Sequence, residues 1–365
     1  MPVVIDIEQS DHHLFTRASG ADAGAHPRLD VRVDCLDIGL INNMPDSALM
    51  PTERQVFDLL DTAAANLSVR LHLYSMDATP RSDWGRDYVR RYYRHTDDLL
   101  NRRLDGIIMT GAEPKAAQLV DEPYWASFTE IVDWAAENTA SAIYSCLAVH
   151  GVVLHLDGVE RRALPAKCIG VFPQTQVADH LLMKGLPDIF STPHARWNEV
   201  GERDLSGCGY SVLSKSVDAG VDCFVKRRNN SLFVHFQGHP EYEAQSLLGE
   251  YRRDMGRFLW GANEVCPTIP KGYFDLESEK IVAAFRHEAL LNRHPQLFSR
   301  FPTDRLARDV KNFWRPSATR IYGNWLSYLD AARSGRSRSR FPGSPVRSDA
   351  GFGSNDSTTR RAQFP

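Results

Sequence analysis

The strongest constraint on the fold is a repeated order of short apolar segments and segments with helical spacing. Residues 67–74 alternate apolar and polar side chains, and residues 104–109 and 141–145 are apolar runs typical of buried strands. A first strand is predicted over residues 31–41, and helical patterns lie between the strands, over residues 52–65, 83–100 and 123–138. The order βαβαβαβ requires a parallel sheet with right-handed crossovers, so the predicted fold class is α/β with a doubly wound, mostly parallel sheet.

Composition and charge narrow the class of protein. The chain has 365 residues, of which 42% are hydrophobic, enough for a sizeable core. A net charge of -3 gives no reason to expect nucleic acid or an anionic membrane as a partner. The N-terminus has acids where a signal peptide has positive charge, and no apolar run approaches the roughly 20 residues that span a bilayer. We therefore expect a cytosolic protein.

Cys146 follows directly on the apolar run 141–145, and a helix-compatible segment begins after it. A strand-to-helix turn lifts one side chain above the sheet edge and directs backbone N–H groups to the space beside it. The positive end of the helix dipole favours a thiolate there. The turn therefore predicts a nucleophile, although a single cysteine after an apolar run is more often a small core residue.

A second turn supplies a base and an acid. The apolar run 233–236 leads through Gly238 into His239, Pro240 and Glu241. Nucleophile, histidine and an orienting carboxylate form an activated nucleophile, because the histidine takes the thiol proton and the carboxylate fixes its tautomer. Both turns follow strands, and open α/β sheets place their sites beyond the carboxyl ends of strands. Cys146, His239 and Glu241 are therefore the predicted catalytic residues.

The loop after the strand 104–109 is a candidate second wall of the site. It contains Gly111, Ala112 and Lys115. A glycine at a strand end allows close approach of the backbone to a ligand and can supply an oxyanion N–H beside that of Leu147. The alternative interpretation is that this loop is an ordinary strand-to-helix turn and not a wall of the site.

No metal site is predicted. The cysteines are scattered without a C-x-x-C pair, and His12-His13 and the other histidines lack ligand spacing. The spacing does not indicate a disulfide framework either. Six cysteines are present, at positions 35, 146, 168, 208, 223 and 266.

Several short motifs, in the same order along the chain, resemble those of the homoserine O-succinyltransferase and O-acetyltransferase family. They include Leu-Ile-Asn-Asn-Met-Pro at 40–45, Leu-Asp-Gly-Ile-Ile-Met-Thr-Gly-Ala at 104–112, Pro-His-Ala-Arg at 193–196, Gly-His-Pro-Glu-Tyr at 238–242 and Asn-Trp-Leu at 324–326. The resemblance implies a class I glutamine amidotransferase-like, flavodoxin-like fold. It also implies acyl transfer to the hydroxyl of homoserine in methionine biosynthesis.

The resemblance assigns roles residue by residue. Cys146 is implied to carry the acyl group as a thioester, with His239 as base and Glu241 as its partner. Gly111, Ala112, Lys115 and Leu147 would form the oxyanion and acyl pocket. The amino-acid substrate would be held by Lys167, Ala195, Arg196, Tyr242 and Arg253. Acyl-CoA is the implied co-substrate, no cofactor is expected to stay bound, and a homodimer is expected by analogy.

Three departures from the family pattern bear on the substrates. Lys115 occupies a position that influences acyl choice in relatives, and a lysine could pair with a succinyl carboxylate; this favours succinyl-CoA over acetyl-CoA. Ala195 replaces the usual serine of the Pro-His-Ser-Arg motif, so serine or another small amino alcohol is an alternative acceptor. Asp46 stands where relatives carry lysines after Met-Pro, which removes a predicted contact to CoA phosphate.

Two other classes of function remain as alternatives. A glutamine amidotransferase or related amidohydrolase uses the same three side chains, but that class flanks its cysteine with glycines, whereas Ser145 and Leu147 flank Cys146. A non-catalytic binding protein would not need Cys146, His239 and Glu241 together.

The predicted domain organisation is one enzyme domain with flexible ends. Residues 1–30 are expected to form a loosely held arm and residues 31–330 the acyltransferase domain. A helical insertion is expected at about 281–312. The Ser-, Arg- and Gly-rich segment 331–365 is expected to be disordered.

Overall fold

A computed structural model of the chain describes residues 2–7, 11–14, 35–112 and 114–339. Its centre is a ten-stranded sheet with the strand order β1-β3-β2-β4-β5-β10-β9-β8-β6-β7. The strands are β1 (Val3–Ile5), β2 (Leu36–Ile41), β3 (Val69–Tyr74), β4 (Gly106–Met109), β5 (Ser141–Ser145), β6 (Arg162–Gln176), β7 (Ile189–Glu199), β8 (Ser211–Ser216), β9 (Gly220–Arg228) and β10 (Ser231–Phe236).

The strands from β1 to β10 in this order pair in parallel. Their carboxyl ends therefore lie along one edge of the sheet, where Phe236 pairs with Ser145 and Met109 pairs with Tyr144. The turns that follow β2, β4, β5 and β10 all leave from this edge, which brings the predicted site segments together. The α/β, doubly wound fold class is confirmed.

Helices cover both faces of the parallel part. The described helices are α1 (Leu49–Ala63), α2 (Asp83–Tyr92), α3 (Thr96–Asn101), α4 (Trp125–Asn138), α5 (Leu147–Asp157), α6 (Glu202–Gly207), α7 (Ser246–Leu259), α8 (Leu276–Leu291), α9 (Thr303–Asp309) and α10 (Arg315–Ser339). Residues of α1 and α10 share one core cluster with the sheet, and residues of α4 and α5 share a second on the other face. No helix within the described ranges has the length and apolar composition needed to cross a membrane.

The other strands form an antiparallel extension that the repeated pattern does not predict. β9, β8, β6 and β7 continue the sheet beyond β10 by antiparallel pairing. Antiparallel neighbours need only short connections, so no helix separates β8, β9 and β10 along the chain. The extension carries Lys167 on β6 and Ala195 and Arg196 on β7.

The sequence predicts a helical insertion at about 281–312, and this segment is largely helical in the structure. It contains most of α8, a 3₁₀ turn at Pro295–Arg300, and α9. Its apolar side chains form a third core cluster with α7, which includes Phe285, Leu297 and Leu306 together with Tyr242 and Tyr251. The insertion is thus packed against the segment that follows the predicted catalytic histidine.

The ends of the chain differ from the expectation of a loosely held arm and a tail that begins at residue 331. β1 pairs with β3 at the sheet edge, and His12 is buried against Glu53. At the other end α10 continues to Ser339. Residues 8–10, 15–34 and 340–365 lie outside the described part, so the expectations for them remain predictions.

The helix predicted over residues 83–100 is two helices. Tyr93 and Arg94 separate α2 from α3, because the backbone N–H of Arg94 donates to the carbonyl of Leu73 at 2.8 Å. His95 then caps α3 by accepting from the N–H of Asp97. This pairing with β3 is a long-range contact, which local helical spacing does not encode.

Candidate active site

Cys146 lies between β5 and α5 in an unusual backbone conformation. Its φ is 51° and its ψ is -111°, and it is one of three described non-glycine residues with positive φ. Its N–H donates to the carbonyl of Phe236 at 2.8 Å, which ties the turn to the carboxyl end of β10. A cysteine held at positive φ between a strand and a helix has the geometry of a nucleophile turn.

His239 lies in the turn that follows β10 and contacts both partners predicted for it. Its Nδ1 is 2.8 Å from Glu241 Oε1, and its side chain is hydrogen-bonded to Cys146. The ring stacks on Tyr242 with a centroid distance of 4.2 Å and an angle of 13°. The backbone N–H of His239 donates to the carbonyl of Pro193 at 2.7 Å. The ring is therefore fixed between the thiol and the carboxylate.

The electrostatic surroundings of His239 favour its protonated form. Burial lowers its pKa, but the charges of Glu241 and Cys146 and hydrogen bonds to both side chains raise the pKa well above 6.5. An imidazolium beside the sulfur stabilises a thiolate. The protonated ring of His239 therefore lies between the sulfur of Cys146 and the carboxylate of Glu241.

The turn that carries His239 is hydrogen-bonded to a buried acid, Asp222. The N–H of Gly238 donates to Asp222 Oδ1 at 3.1 Å. A Cβ at position 238 would lie 2.7 Å from that oxygen, so the close approach requires glycine. Burial raises the pKa of Asp222 to about 6. Asp222 is a supporting residue that sequence reasoning missed, because its strand β9 belongs to the antiparallel extension.

Cys146 and His239 open onto a pocket of about 300 Å³. It is lined by residues from the turns after β2, β4, β5 and β10, from α1 and α7, and from β6 and β7: Met44, Pro45, Thr52, Gln55, Thr110, Gly111, Ala112, Pro114, Ser145, Cys146, Leu147, Lys167, Ala195, Trp197, His239, Glu241, Tyr242, Glu250, Arg253, Asp254 and Arg257. Ten of the twelve predicted site residues lie in this lining.

Gly111 and Leu147 meet beside the cysteine, as the prediction of a shared oxyanion site requires. A Cβ on Gly111 would lie 2.6 Å from Leu147 Cβ and 3.0 Å from its backbone nitrogen. Only glycine permits this approach. Leu147 is the first residue of α5, so its N–H has no acceptor within the helix and is directed towards the N-terminal end.

One side of the pocket is charged. Lys167 Nζ lies 3.0 Å from Glu250 Oε2 and 2.6 Å from Asp254 Oδ2. A terminal nitrogen of Arg253 lies 2.6 Å from the same Glu250 oxygen. Although burial raises the pKa of Glu250, the charges of Lys167 and Arg253 lower it below 4.5 overall. We call Lys167, Glu250, Arg253 and Asp254 the charged quartet.

Two predicted residues lie elsewhere. Lys115 is exposed and outside the pocket lining, and its backbone N–H donates to Glu122 Oε1 at 2.6 Å. Arg196 is 3% exposed and also outside the lining, because alternate residues of a strand face opposite sides. Its guanidinium donates to the backbone carbonyls of Asn198 and Ala219, while the neighbouring Ala195 lines the pocket.

Sequence reasoning also missed four lining residues with charged or aromatic side chains that could contact a ligand. Glu250, Asp254 and Arg257 lie on α7 with Arg253, at a spacing that places all four on one face of the helix. This helical spacing is the sequence signal from which these residues could have been predicted to face the pocket together. Trp197, which is 53% exposed, gave no comparable signal.

One group of possible metal ligands lies away from this pocket lining. His12, His13 and Glu53 offer atoms within 4.8 Å of one another. His12 Nε2 lies 3.0 Å and His13 Nε2 lies 2.7 Å from Glu53 Oε2. Both histidines are thus within hydrogen-bonding distance of the same carboxylate.

Comparison with known proteins shows which proteins this chain is similar to. Residues 2–334 match the family model described as homoserine O-succinyltransferase. A homoserine O-succinyltransferase of Rhodopseudomonas palustris is 45% identical over 294 residues, which cover 80% of this chain and 88% of that protein. One of Methylorubrum extorquens is 42% identical, with 80% and 87% covered. Among solved structures, a glutamine amidotransferase of Thermotoga maritima is 11% identical with a TM-score of 0.46, covering 81% of this chain and 98% of that one.

Proposed function

Because this chain belongs to the homoserine O-succinyltransferase family, we propose that it transfers a succinyl group from succinyl-CoA to the hydroxyl of L-homoserine through a thioester on Cys146. The resemblance found in the sequence motifs is confirmed by the family match. The observation that carries the mechanism is the hydrogen-bonded series Cys146, His239 and Glu241 at one pocket. The reaction would serve methionine biosynthesis.

The first half-reaction loads the enzyme. The Cys146 thiolate attacks the carbonyl carbon of the succinyl-CoA thioester and forms a new C–S bond. The bond to the CoA sulfur then breaks, and the departing CoA thiolate takes a proton from the His239 imidazolium. The N–H groups of Gly111 and Leu147 are proposed to donate to the oxyanion of the tetrahedral intermediate.

The second half-reaction releases the product. His239, now neutral, takes the proton of the homoserine hydroxyl as its oxygen attacks the thioester carbonyl. The C–S bond to Cys146 breaks, the O-succinyl ester leaves, and the thiolate and imidazolium are restored. Glu241 stabilises each imidazolium that forms and keeps Nδ1 protonated.

The charged quartet is the proposed site for the amino-acid part of homoserine. Arg253 offers parallel donors that suit a carboxylate, and the acids of α7 suit an ammonium group. Tyr242 and Ala195 complete this side of the pocket. The methyl group of Ala195 makes no hydrogen bond, so serine remains the alternative acceptor to homoserine.

The test is CoA release by the purified protein with succinyl-CoA or acetyl-CoA, in the presence of homoserine, serine or no acceptor. We expect homoserine-dependent release with succinyl-CoA, and no release by Cys146→Ala. Release with serine alone would change the acceptor and keep the mechanism. Glutamine hydrolysis without acylation of Cys146 would replace the transferase by the amidotransferase alternative. The homodimer and the cytosolic location stay predictions.

A further inference from the structure

A second pocket, of about 330 Å³, adjoins the active-site pocket. Lys167, Trp197 and Asp254 line both pockets. The other lining residues of the second pocket come from the segment 165–169 of β6 and from the loop 262–268 that follows α7. We call this space the side pocket. It borders the space onto which Cys146 opens.

The side pocket exposes apolar side chains. Trp197 on β7 and Val265 in the loop after α7 both line it, and both are more than half exposed. Ala166 on β6 and Ala262 in the loop are exposed in the same lining. A group of exposed apolar side chains that lines a pocket is typical of a ligand-binding groove. The side pocket therefore suits a ligand with apolar segments.

Strand β6 is irregular where it forms a wall of the side pocket. Ala163 pairs with Asn198 and Cys168 pairs with Arg196, so residues 164–167 of β6 lie opposite Trp197 alone. The extra residues of such a bulge interrupt the ladder of backbone hydrogen bonds, and bulges are frequent beside active sites. The backbone N–H and C=O groups of this segment are therefore candidates to bind a ligand that carries amide groups.

The acyl donor of the proposed reaction has a part that matches this lining. In succinyl-CoA the thioester sulfur ends the pantetheine arm, a chain of methylene groups, two amides and a branched dimethyl group, with the nucleotide beyond it. When the thioester carbonyl lies at Cys146, the arm has to extend out of the active-site pocket, whose volume of about 300 Å³ is at the small end for ligand pockets. The apolar groups of the arm suit Trp197 and Val265, and its amides suit the irregular segment of β6.

We propose that the side pocket binds the pantetheine arm of the acyl donor. The proposal rests on the function proposed above and adds a binding site for its co-substrate. Trp197 lies where the two pockets meet, so it would contact the part of the arm nearest the thioester. Binding of this remote part of the donor would then contribute to the acylation of Cys146.

The experiment fills the side pocket and compares three succinyl donors of decreasing length. Ala166→Trp and Ala262→Trp each introduce a large ring, from two different walls. The donors are succinyl-CoA, S-succinyl-pantetheine and S-succinyl-N-acetylcysteamine. In both variants we expect kcat/KM for the two longer donors to fall about ten- to hundredfold. The value for the N-acetylcysteamine thioester should change by less than about threefold, because this donor lacks most of the arm.

The acceptor gives a second readout. In a ping-pong reaction the kcat/KM of each substrate reports on its own half-reaction. Both side-pocket variants should therefore keep kcat/KM for homoserine, since CoA has left before homoserine reacts. A partial loss of folded enzyme lowers all these values equally, so it does not alter the ratio between long and short donors.

Ala163→Trp is the matched control. Ala163 is exposed on the same strand and lies outside the linings of both pockets. The substitution adds the same ring to β6 without filling the side pocket. It should leave the ratio between long and short donors as in the wild type.

An equal loss for all three donors in both side-pocket variants, or no loss for any of them, overturns the proposal. So does a loss confined to succinyl-CoA, which would assign the pocket to the nucleotide, or a loss confined to homoserine, which would assign it to the acceptor. Failure of the underlying function has a different signature. If the wild type transfers no acyl group from succinyl-CoA to homoserine, the proposed reaction is wrong before any variant is compared.

Discussion

Cys146 combines an unfavourable backbone conformation with the side chain predicted to react. A non-glycine residue at a φ of 51° and a ψ of -111° costs on the order of 1–3 kcal/mol. The cost is offset by the contacts that surround the turn, among them the hydrogen bond from Cys146 N–H to the carbonyl of Phe236. The conformation holds the sulfur beside His239.

We therefore expect Cys146→Gly to be more stable than Cys146→Ala by about 1 kcal/mol. Glycine adopts positive φ without a steric cost, and this gain exceeds the extra entropy that glycine loses on folding. Both variants lack the thiol, so the difference between their free energies of unfolding reports the cost of the backbone conformation. Urea unfolding measures it, and both variants should lack turnover. An alanine variant as stable as the glycine variant would show that the turn is unstrained.

Glu241 is expected to control the protonation of His239. In Glu241→Gln the charge that most raises the His239 pKa is lost, so that pKa should fall, because burial continues to lower it. NMR titration of the ring nitrogens should report the shift, and kcat should fall roughly hundredfold. Glu243→Gln, in the same turn and outside the pocket lining, is the control that should titrate like the wild type.

The raised pKa of His239 also affects how the stability of the fold depends on pH. A group whose folded pKa is raised stabilises the fold below its unfolded pKa, near 6.5 for histidine, and loses that effect as the pH rises through the folded value. The advantage of the wild type over Glu241→Gln should therefore be largest in mildly acidic solution and decline on the alkaline side. An advantage that grows with pH would contradict this assignment.

Among the elements, the segment around the helical insertion supports the turn that carries His239. Trp314 Nε1 donates to the carbonyl of Tyr242 at 2.8 Å, and Asn312 Nδ2 donates to the same oxygen at 3.1 Å. Trp314 is 1% exposed and belongs to the cluster that contains α7 and α8. The helices α8 and α9 and the segment that follows them are thus part of the packing around Tyr242.

Trp314→Phe should destabilise the protein by about 1 kcal/mol and lower kcat, because it removes one donor and keeps most of the aromatic packing. The losses of stability in Trp314→Phe and Asn312→Ala should not be additive, since both side chains donate to the carbonyl oxygen of Tyr242. Thermal unfolding and steady-state rates measure the two effects. The neighbouring Phe313→Leu, at a side chain that is 51% exposed, should change neither.

At the scale of the whole molecule, a buried carboxylate ties the N-terminal segment to two helices. Glu53 of α1 is 2.7 Å from His13 Nε2 and accepts from the hydroxyls of Tyr88 and Tyr93 at 2.9 and 2.5 Å. Burial alone raises the pKa of Glu53, but hydrogen bonds from His12, His13 and Tyr93 lower it to about 2. Residues 11–14 are thereby packed against α1 and α2.

We expect Glu53→Gln to unfold more easily than the wild type near neutral pH, by about 3 kcal/mol in order of magnitude. A depressed carboxylate pKa stabilises the fold above the unfolded value near 4.5 and loses that effect as the pH falls towards 2. The difference between the two proteins should therefore shrink below about pH 4.5. Denaturant unfolding at several pH values measures it, and a difference independent of pH would assign the effect to packing.

The sequence by itself determined the parallel part of the fold and the identity of the residues proposed to react. The strands that end before Thr110, Cys146 and Gln237 were predictable from short apolar runs followed by turns. Carboxyl ends of parallel strands share one edge, so a thiol and a histidine 93 positions apart could be expected to meet. The local sequence pattern is enough for this prediction, because it indicates whether each segment is a helix or a strand. In a parallel sheet this also determines the edge at which each turn lies.

Tertiary structure alone decided which charges face the pocket. Lys167 meets Asp254 across 87 positions of sequence, and this contact depends on an antiparallel extension whose pairing no local pattern specifies. The same packing places Arg257 in the lining and leaves Lys115 outside it. The orientation of a helix face and the pairing of distant strands are set by the packing of the whole core. The proposed catalytic residues could therefore be predicted from the chain, whereas the charged residues that line the pocket beside them had to be seen in the folded molecule.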